Sequence, residues 1–303
     1  MLAAIVAVFT LINPAFLSVR NIARIGIIAS PALLIAIGVT FIILMGSIDL
    51  SMEGTVAFSA VGFATLFMAL GGTLATGWPA LIAAVAIGTL VGALNGFIHV
   101  RLRIPSFMAS LSIGYVGLGA TYILSGGYRI TVADPAFRAL LTVRFLEMPL
   151  MVWVALAGLA AAWFVQNHTV LGRNIYAIGG GEELARASGL HVGRVRIMAF
   201  ALAGFFYGLG ALLSVARIGI ADGDSGSNQM FTAITAVVVG GTSLMGGSGG
   251  VLNTLVGVII VAAISNGMIV AGLPSYIQSG VLGAIVIVAV GLSVSRKSRD
   301  IVK

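Results

Sequence analysis

Long apolar runs, separated by short polar interruptions, dominate the chain from end to end. Their lengths are those of membrane-spanning helices, which need about 20 mainly apolar residues. On that measure ten segments emerge, at roughly 2–18, 25–46, 54–75, 79–100, 106–126, 149–166, 197–217, 231–246, 249–270 and 276–294. The first apolar run stops at Asn13-Pro14 and has neither the basic start nor the small-residue cleavage site of a signal peptide. It reads as a shortened or tilted first helix. The pattern predicts an all-α, polytopic membrane protein of about ten transmembrane helices, forming a single transmembrane domain over residues 1–303.

Composition excludes a soluble alternative. Hydrophobic residues make up 59% of the chain and charged ones 8%, with a mean hydropathy of +1.14. Soluble domains carry about a quarter charged residues because water must solvate their surface. The net charge of +7 does not point to nucleic acid, since the basic residues fall between apolar runs and act there as topology determinants. With ten crossings, one side receives Arg101, Arg103, Arg173, Arg186, Arg194, Arg196, Arg296, Lys297, Arg299 and Lys303, ten of the 16 basic residues. That bias puts both termini in the cytoplasm. Cysteine is absent, so no disulfide, thiolate metal site or cysteine nucleophile is available.

Glycine patterning adds detail. Gly88, Gly92 and Gly96 are four apart on the fourth span and form one stripe. Lipid gives no hydrophobic push between helices, so close backbone contact through such stripes is a principal source of association.

Two stretches predict broken helices. In Gly46-Ser-Ile-Asp-Leu-Ser-Met-Glu-Gly54, Asp49 and Glu53 lie between two apolar runs. A charge at the centre of the bilayer costs roughly 3 kcal/mol on the insertion scale, so it must face water, a cavity or a partner. A short solvated turn, with Asp49 or Ser51 capping the next helix, accounts for these acids as well as a discontinuous helix along a substrate route does. The second stretch, Gly240 to Gly250, has six glycines in eleven residues and cannot hold a helix interior. It reads either as a flexible reverse turn or as a gate.

The longest polar segment on the basic side runs from 167 to 196. Within it, Gly179 to Gly189 reads as a short helix: Glu182 and Glu183 favour its start, Glu182 and Arg186 stand four apart, and Gly189 is placed to cap its end. A self-contained helix between two spans suits a docking element for another protein, and an ordinary surface loop fits the same residues.

Four stretches in this order resemble the permease subunits of ABC importers for ribose, xylose, galactose and related small ligands. They are Gly46-Ser-Ile-Asp-Leu-Ser, Leu94-Asn-Gly-Phe, the loop from Gly172 to Gly189, and Ile234-Thr-Ala-Val-Val-Val-Gly-Gly-Thr-Ser-Leu-Met-Gly-Gly-Ser-Gly. The resemblance covers nearly the whole chain. It implies that Glu182, Glu183, Ala185, Arg186 and Gly189 belong to a coupling helix seated in a groove of a separate ATP-binding subunit. It implies inverted repeats over about 25–126 and 197–294, and a central path between two permease copies or homologues. It also implies a bacterial inner (plasma) membrane location and a periplasmic substrate-binding protein docking on the outer face. The chain departs from the family's habit at Ser47, usually glycine; at Glu53, usually small; at Gln229, Met230 and Phe231, where the family tends to place an acid; and at Asn253, usually glycine.

The function this implies is translocation of a small polar solute, a monosaccharide first, with branched-chain amino acids and nucleosides sharing the broader architecture. The path candidates are Asp49, Ser51, Asn95, Thr242 and Ser243, whose polar groups would make weak, transient hydrogen bonds. The chain itself is not expected to be an enzyme or to need a cofactor. Its only lysines, Lys297 and Lys303, form no phosphate-cradling Gly-Lys-Ser/Thr loop, so ATP hydrolysis falls to a partner. The alternative is an ion-coupled secondary transporter, which also uses broken helices and would rely on Asp49 and Glu53. An intramembrane enzyme has less support, because His99, His168 and His191 form no metal-spaced pair.

Overall fold

The computed structural model describes residues 2–274 and, beyond them, 277, 280, 281, 283, 284 and 287. Of the described residues 77% are helical. After α1 (Leu2–Ile12) comes a single 3-10 turn, Pro14–Leu17, which Asn13 opens by accepting the Ala15 N–H at 3.0 Å. Ser18 then caps α2 (Val19–Leu44), accepting the Asn21 N–H at 3.3 Å. There follow α3 (Met52–Ala69), α4 (Leu74–Leu102), α5 (Ser106–Ser125), α6 (Pro135–Thr142), α7 (Leu150–His168), α8 (Val170–Gly180), α9 (Glu182–Ala187), α10 (Val192–Ile218), α11 (Gln229–Val239) and α12 (Val251–Val270).

Among the described residues seven helices are long and apolar enough to cross a bilayer: α2, α3, α4, α5, α7, α10 and α12. The first and eighth expected spans are the helices α1 and α11, each of 11 residues. Most of the tenth expected span, 276–294, and all of the basic tail lie outside the described residues. The turn after α3 falls earlier than hydropathy suggests, because Gly71 and Gly72 both take positive φ there and end the helix.

α2 is the axis of the fold, and from Ser30 to Leu44 every residue is buried. It can be apolar all round because protein, not lipid, surrounds it. The glycine stripe of α4 does what its spacing predicts. Gly88 and Gly92 pack on the backbone of Phe200, Gly204 and Gly208 in α10, and Gly96 on Ile197 and Phe200. A methyl at Gly88 would strike the Gly204 carbonyl.

Four two-residue strands trim one end of the bundle. β1 (Ile130–Thr131) pairs antiparallel with β4 (Ile220–Ala221), and β2 (Arg144–Phe145) with β3 (Met148–Pro149). The far end carries α8, α9 and the glycine-rich turn at 240–250.

Candidate functional site

Residues 45–51 leave α2 and run back along α5 without helical structure. The Ile48 N–H donates to Ser106 Oγ at 3.0 Å and the Leu50 N–H to Ser110 Oγ at 2.9 Å. One turn further, Gly114 leaves room for Leu50 and Ser51, and Gly54 abuts the Gly114 backbone. Ser106, Ser110 and Gly114 are four apart, so one stripe of small residues on α5 cradles the break. Gly114 is about 12 Å along α5 from Ser106 at 1.5 Å per residue, so α3 starts near mid-depth of the bundle.

On the opposite side of this strand Asp49 faces α4 and α10. Its carboxylate accepts hydrogen bonds from the Ser51 N–H at 2.9 Å, the Ser51 hydroxyl at 2.7 Å, Asn95 Nδ2 at 3.3 Å and the Tyr207 hydroxyl at 3.0 Å. Asp49, Ser51, Asn95 and Tyr207 are at most 2% exposed. Three predicted site residues thus meet in one buried cluster. Tyr207, which completes it, sits in an apolar span with no sequence signal of its own.

A second break, which sequence reasoning passed over, follows α10. Gly219 to Asn228 turns back toward the bundle centre and α11 begins at Gln229. Asp222 holds this segment: its Oδ2 meets Arg129 Nε at 3.2 Å, and its Oδ1 accepts the Asp224 N–H at 3.0 Å and the Ser225 hydroxyl at 3.1 Å. Farther along, Gly226 packs on the Glu53 backbone and the Met230 N–H donates to Glu53 Oε1 at 3.3 Å. The two breaks therefore meet at the starts of α3 and α11. The available signal was Asp222, Gly223 and Asp224 in a row, too polar to lie within a span.

Thr242 and Ser243 are not part of the Asp49 cluster. Thr242 is buried and its Oγ1 accepts the Gly250 N–H at 3.2 Å, while half-buried Ser243 closes the turn by donating its N–H to the Ser248 carbonyl at 3.0 Å. This turn is tied to its surroundings. The Gly247 N–H donates to the Leu44 carbonyl at 2.9 Å, and the Tyr176 hydroxyl to the Gly249 carbonyl at 2.6 Å. Burial pushes the Tyr176 phenol above its ordinary value, which keeps the donor protonated. Gly179 of α8 packs against both Leu44 and Gly247, and no larger residue would fit there.

From that junction the chain passes directly into α9. Glu182 opens it, and its Oε1 pairs with Arg186 at 2.8 Å while Oε2 takes Arg196 at 2.6 Å. The Arg186 pair was legible from its spacing; Arg196, 14 residues away, was not. Burial works to raise the Glu182 carboxyl, but the two arginines outweigh it and hold the group below the ordinary carboxylate value. Ala185 is buried beneath the helix, Glu183 and Arg186 are exposed, and Leu184 stands 78% exposed at the tip. Gly189 at φ +85° ends the turn, with the Leu190 N–H donating to the Ala185 carbonyl at 3.1 Å.

Long apolar helices enclosing two polar breaks, with a short charged helix mounted on one end, define a multi-pass membrane transport protein. The chain belongs to the family described as the permease component of the branched-chain amino acid transport system, whose model matches residues 21–290. Among curated relatives, the ribose import permease protein of Haemophilus influenzae is 34% identical over 297 residues, covering 94% of this chain and 88% of its own. The galactose/methyl galactoside import permease protein of Escherichia coli K12 is 33% identical over 313 residues, covering 98% and 93%. The L-arabinose ABC transporter permease protein of Azospirillum brasilense is 32% identical over 286 residues, covering 94% and 83%. No solved structure gives a significant match.

Proposed function

We propose that the chain is the membrane-spanning permease subunit of an ATP-driven importer of a small polar solute, a monosaccharide. The observation that carries this reading is its end-to-end likeness to three permeases named for ribose, galactose and arabinose. ATP hydrolysis belongs to a separate ATP-binding subunit, and a periplasmic binding protein delivers the solute. The importer reading is favoured over an ion-coupled transporter by this same likeness.

In this reading α9 is the coupling helix, and Glu182, Glu183, Ala185, Arg186 and Gly189 form or shape its contact with the ATPase. Exposed Leu184 at its tip supports that role, since an isolated apolar side chain there suits a groove on another protein. The end carrying α8 and α9 is cytoplasmic, with both chain termini on that side, as the arginine and lysine bias suggests. The sequence α2, break, α3 and the sequence α10, break, α11 run in opposite senses, which supports ten helices arranged as inverted repeats over about 25–126 and 197–294. Two copies, or one copy and a homologue, enclose the path. Asp49, Ser51 and Asn95 form its polar backing at mid-depth, and Thr242 and Ser243 belong to the gate near the coupling end.

The test is co-expression with the neighbouring ATPase and binding-protein genes, followed by purification and uptake of labelled ribose or galactose into proteoliposomes. The expected result is an ATPase that stays bound and uptake that requires ATP. Uptake that proceeds without the ATPase and collapses with a protonophore would overturn the reading.

A further inference from the structure

Two long helices meet at the end of the bundle that carries α9. The last turns of α4 run beside the first turns of α10: a methyl on Gly193 would strike Val100, and Gly96 packs on Ile197 and Phe200. The two helices have 29 and 27 residues. At 1.5 Å per residue they are about 43 and about 40 Å long, against about 30 Å of hydrocarbon, so their ends reach the headgroup layers. Between these ends and α9 lies an open cavity of about 400 Å³. Its walls combine apolar Val100, Leu190 and Ile197 with Arg186, His191 and Arg194. Arg186 is engaged by Glu182 at 2.8 Å. Arg194 and His191 are exposed, and among the described residues neither pairs with an acid. Arg101 and Arg103, exposed at the end of α4 beside Val100, are unpaired in the same sense. Of the two acids on α9, Glu182 is held by Arg186 and Arg196, and Glu183 lines a different hollow with Leu184.

We propose that this cavity binds an anionic phospholipid, its phosphodiester paired with Arg194 and its glycerol end lying on Val100, Leu190 and Ile197. Basic pockets between membrane helices at headgroup depth attract such lipids, and each arginine near the surface adds to the attraction. A free phosphate shares the charge but gains nothing from apolar walls. An acidic segment of the ATPase is the other anion within reach of α9. Walls supplied by two membrane helices at headgroup depth favour the lipid over it. The site depends on neither the solute carried nor the importer reading; it needs only that the long helices span a bilayer. Leu190 lies in the turn between α9 and α10, so a lipid held there braces the base of α9.

The test uses the full chain, purified with any ATPase that stays bound, delipidated in non-ionic detergent and titrated with phosphatidylglycerol or phosphatidylcholine. Native mass spectrometry counts the bound lipid. One arginine near an anionic headgroup contributes a factor of about five in affinity. Arg194→Gln should therefore bind phosphatidylglycerol about fivefold more weakly, with Arg194→Lys close to wild type. Arg20→Gln removes the same charge from an exposed arginine at the opposite end of the bundle and should leave binding unchanged. Phosphatidylcholine should not distinguish the variants. A photoreactive phosphatidylglycerol should cross-link around Val100 and Ile197. Wild-type affinity in Arg194→Gln, or an equal loss in Arg20→Gln, would overturn the site. A loss in Arg194→Lys as large as in Arg194→Gln would show a structural role for the arginine and overturn it as well. Displacement of the lipid by millimolar inorganic phosphate would assign the cavity to a soluble anion. Release of the lipid on adding the ATPase would assign it to that subunit, and either result would overturn the lipid.

Discussion

Tyr207 and Asp49 stand 158 residues apart in the chain, yet the tyrosine hydroxyl donates to the carboxylate at 3.0 Å in the interior of the bundle. The contact fastens the first break to α10. With Ser51 and Asn95 it gives the buried carboxylate of Asp49 a full set of donors, without which such a group would be costly to bury.

Removing that one hydroxyl is the sharpest test of the cluster. Hydrogen bonds to charged groups contribute about 1.5–3 kcal/mol, so Tyr207→Phe is expected to destabilise the protein by that amount. Thermal unfolding in detergent should show a lower midpoint than wild type. An unchanged midpoint would mean that the Asn95, Ser106 and Ser110 contacts hold the break without Tyr207.

A second prediction concerns the face between α4 and α10. Gly88→Ala places a methyl against the Gly204 carbonyl, and backbone cannot give way as a side chain tip can. Overpacking of this kind costs about 1–3 kcal/mol. Gly119→Ala on α5, where no atom of the described residues lies within 4 Å of the added methyl, is the matched control and should be silent. Size-exclusion profiles of the two variants after brief heating distinguish them: the first should aggregate earlier, the second should follow wild type.

This contrast also marks what the sequence could reveal. Hydropathy found the seven long helices, and fourfold spacing found the stripe at Gly88, Gly92 and Gly96, because both signals are local. The Asp49, Ser51 and Asn95 candidates met because polar residues at membrane depth seek one another. Tyr207 and Arg196 escaped, since each is recognised only by a partner brought close in the fold. α8 leaves no hydropathy signal, because an amphipathic helix lying against the bundle end has no apolar run. The segment 219–228 escaped for another reason: a window that averages over 20 residues cannot tell a complete crossing from a return at mid-depth.

The junction of Leu44, Gly179 and Gly247 supplies a third prediction. Gly179 touches the end of α2 just before the first break and also the glycine-rich turn, while α9 follows it within three residues. A motion of the coupling helix is thereby delivered to both places. Gly179→Ala would push these backbones apart and leave the exposed face of α9 unaltered. The expected outcome is an ATPase that still binds and hydrolyses ATP, with uptake per ATP reduced several-fold, within the roughly 0.5–2 kcal/mol that such intermediate positions contribute to coupling. Loss of ATPase binding would instead place Gly179 in the docking surface itself.

Glu53 gives a fourth. Because its carboxylate reaches the Met230 N–H from α3, a carboxylate carried on position 230 itself could occupy the same place. Glu53→Ala should lower uptake, and the double variant Glu53→Ala with Met230→Glu should restore part of it. Uptake assays on the four corners of this cycle measure the coupling directly. Additive losses would mean that the acid acts through some other contact.

The ion pairs of Glu182 predict how pH acts on the coupling element. Burial raises this carboxyl, yet the hydrogen bond from Arg186 and the charge and hydrogen bond of Arg196 bring it below its ordinary value of 4.5. A depressed acid stabilises the folded arrangement above its unfolded value, and that contribution disappears as pH falls through the lowered folded value. The partner Arg186 is 68% exposed, so water and salt screen its share; Arg196, at 19%, carries more of the effect. ATPase retention on an affinity column should therefore be level from neutral pH down to about 4.5 and fall below it. Glu182→Gln should show weaker retention at neutral pH and lose this acid-dependent fall, and Arg196→Met should weaken retention more than Arg186→Met. Equal effects of the two arginine variants would place the stabilising contact on the exposed face, in the ATPase groove, and not in the Arg196 anchor beneath the helix.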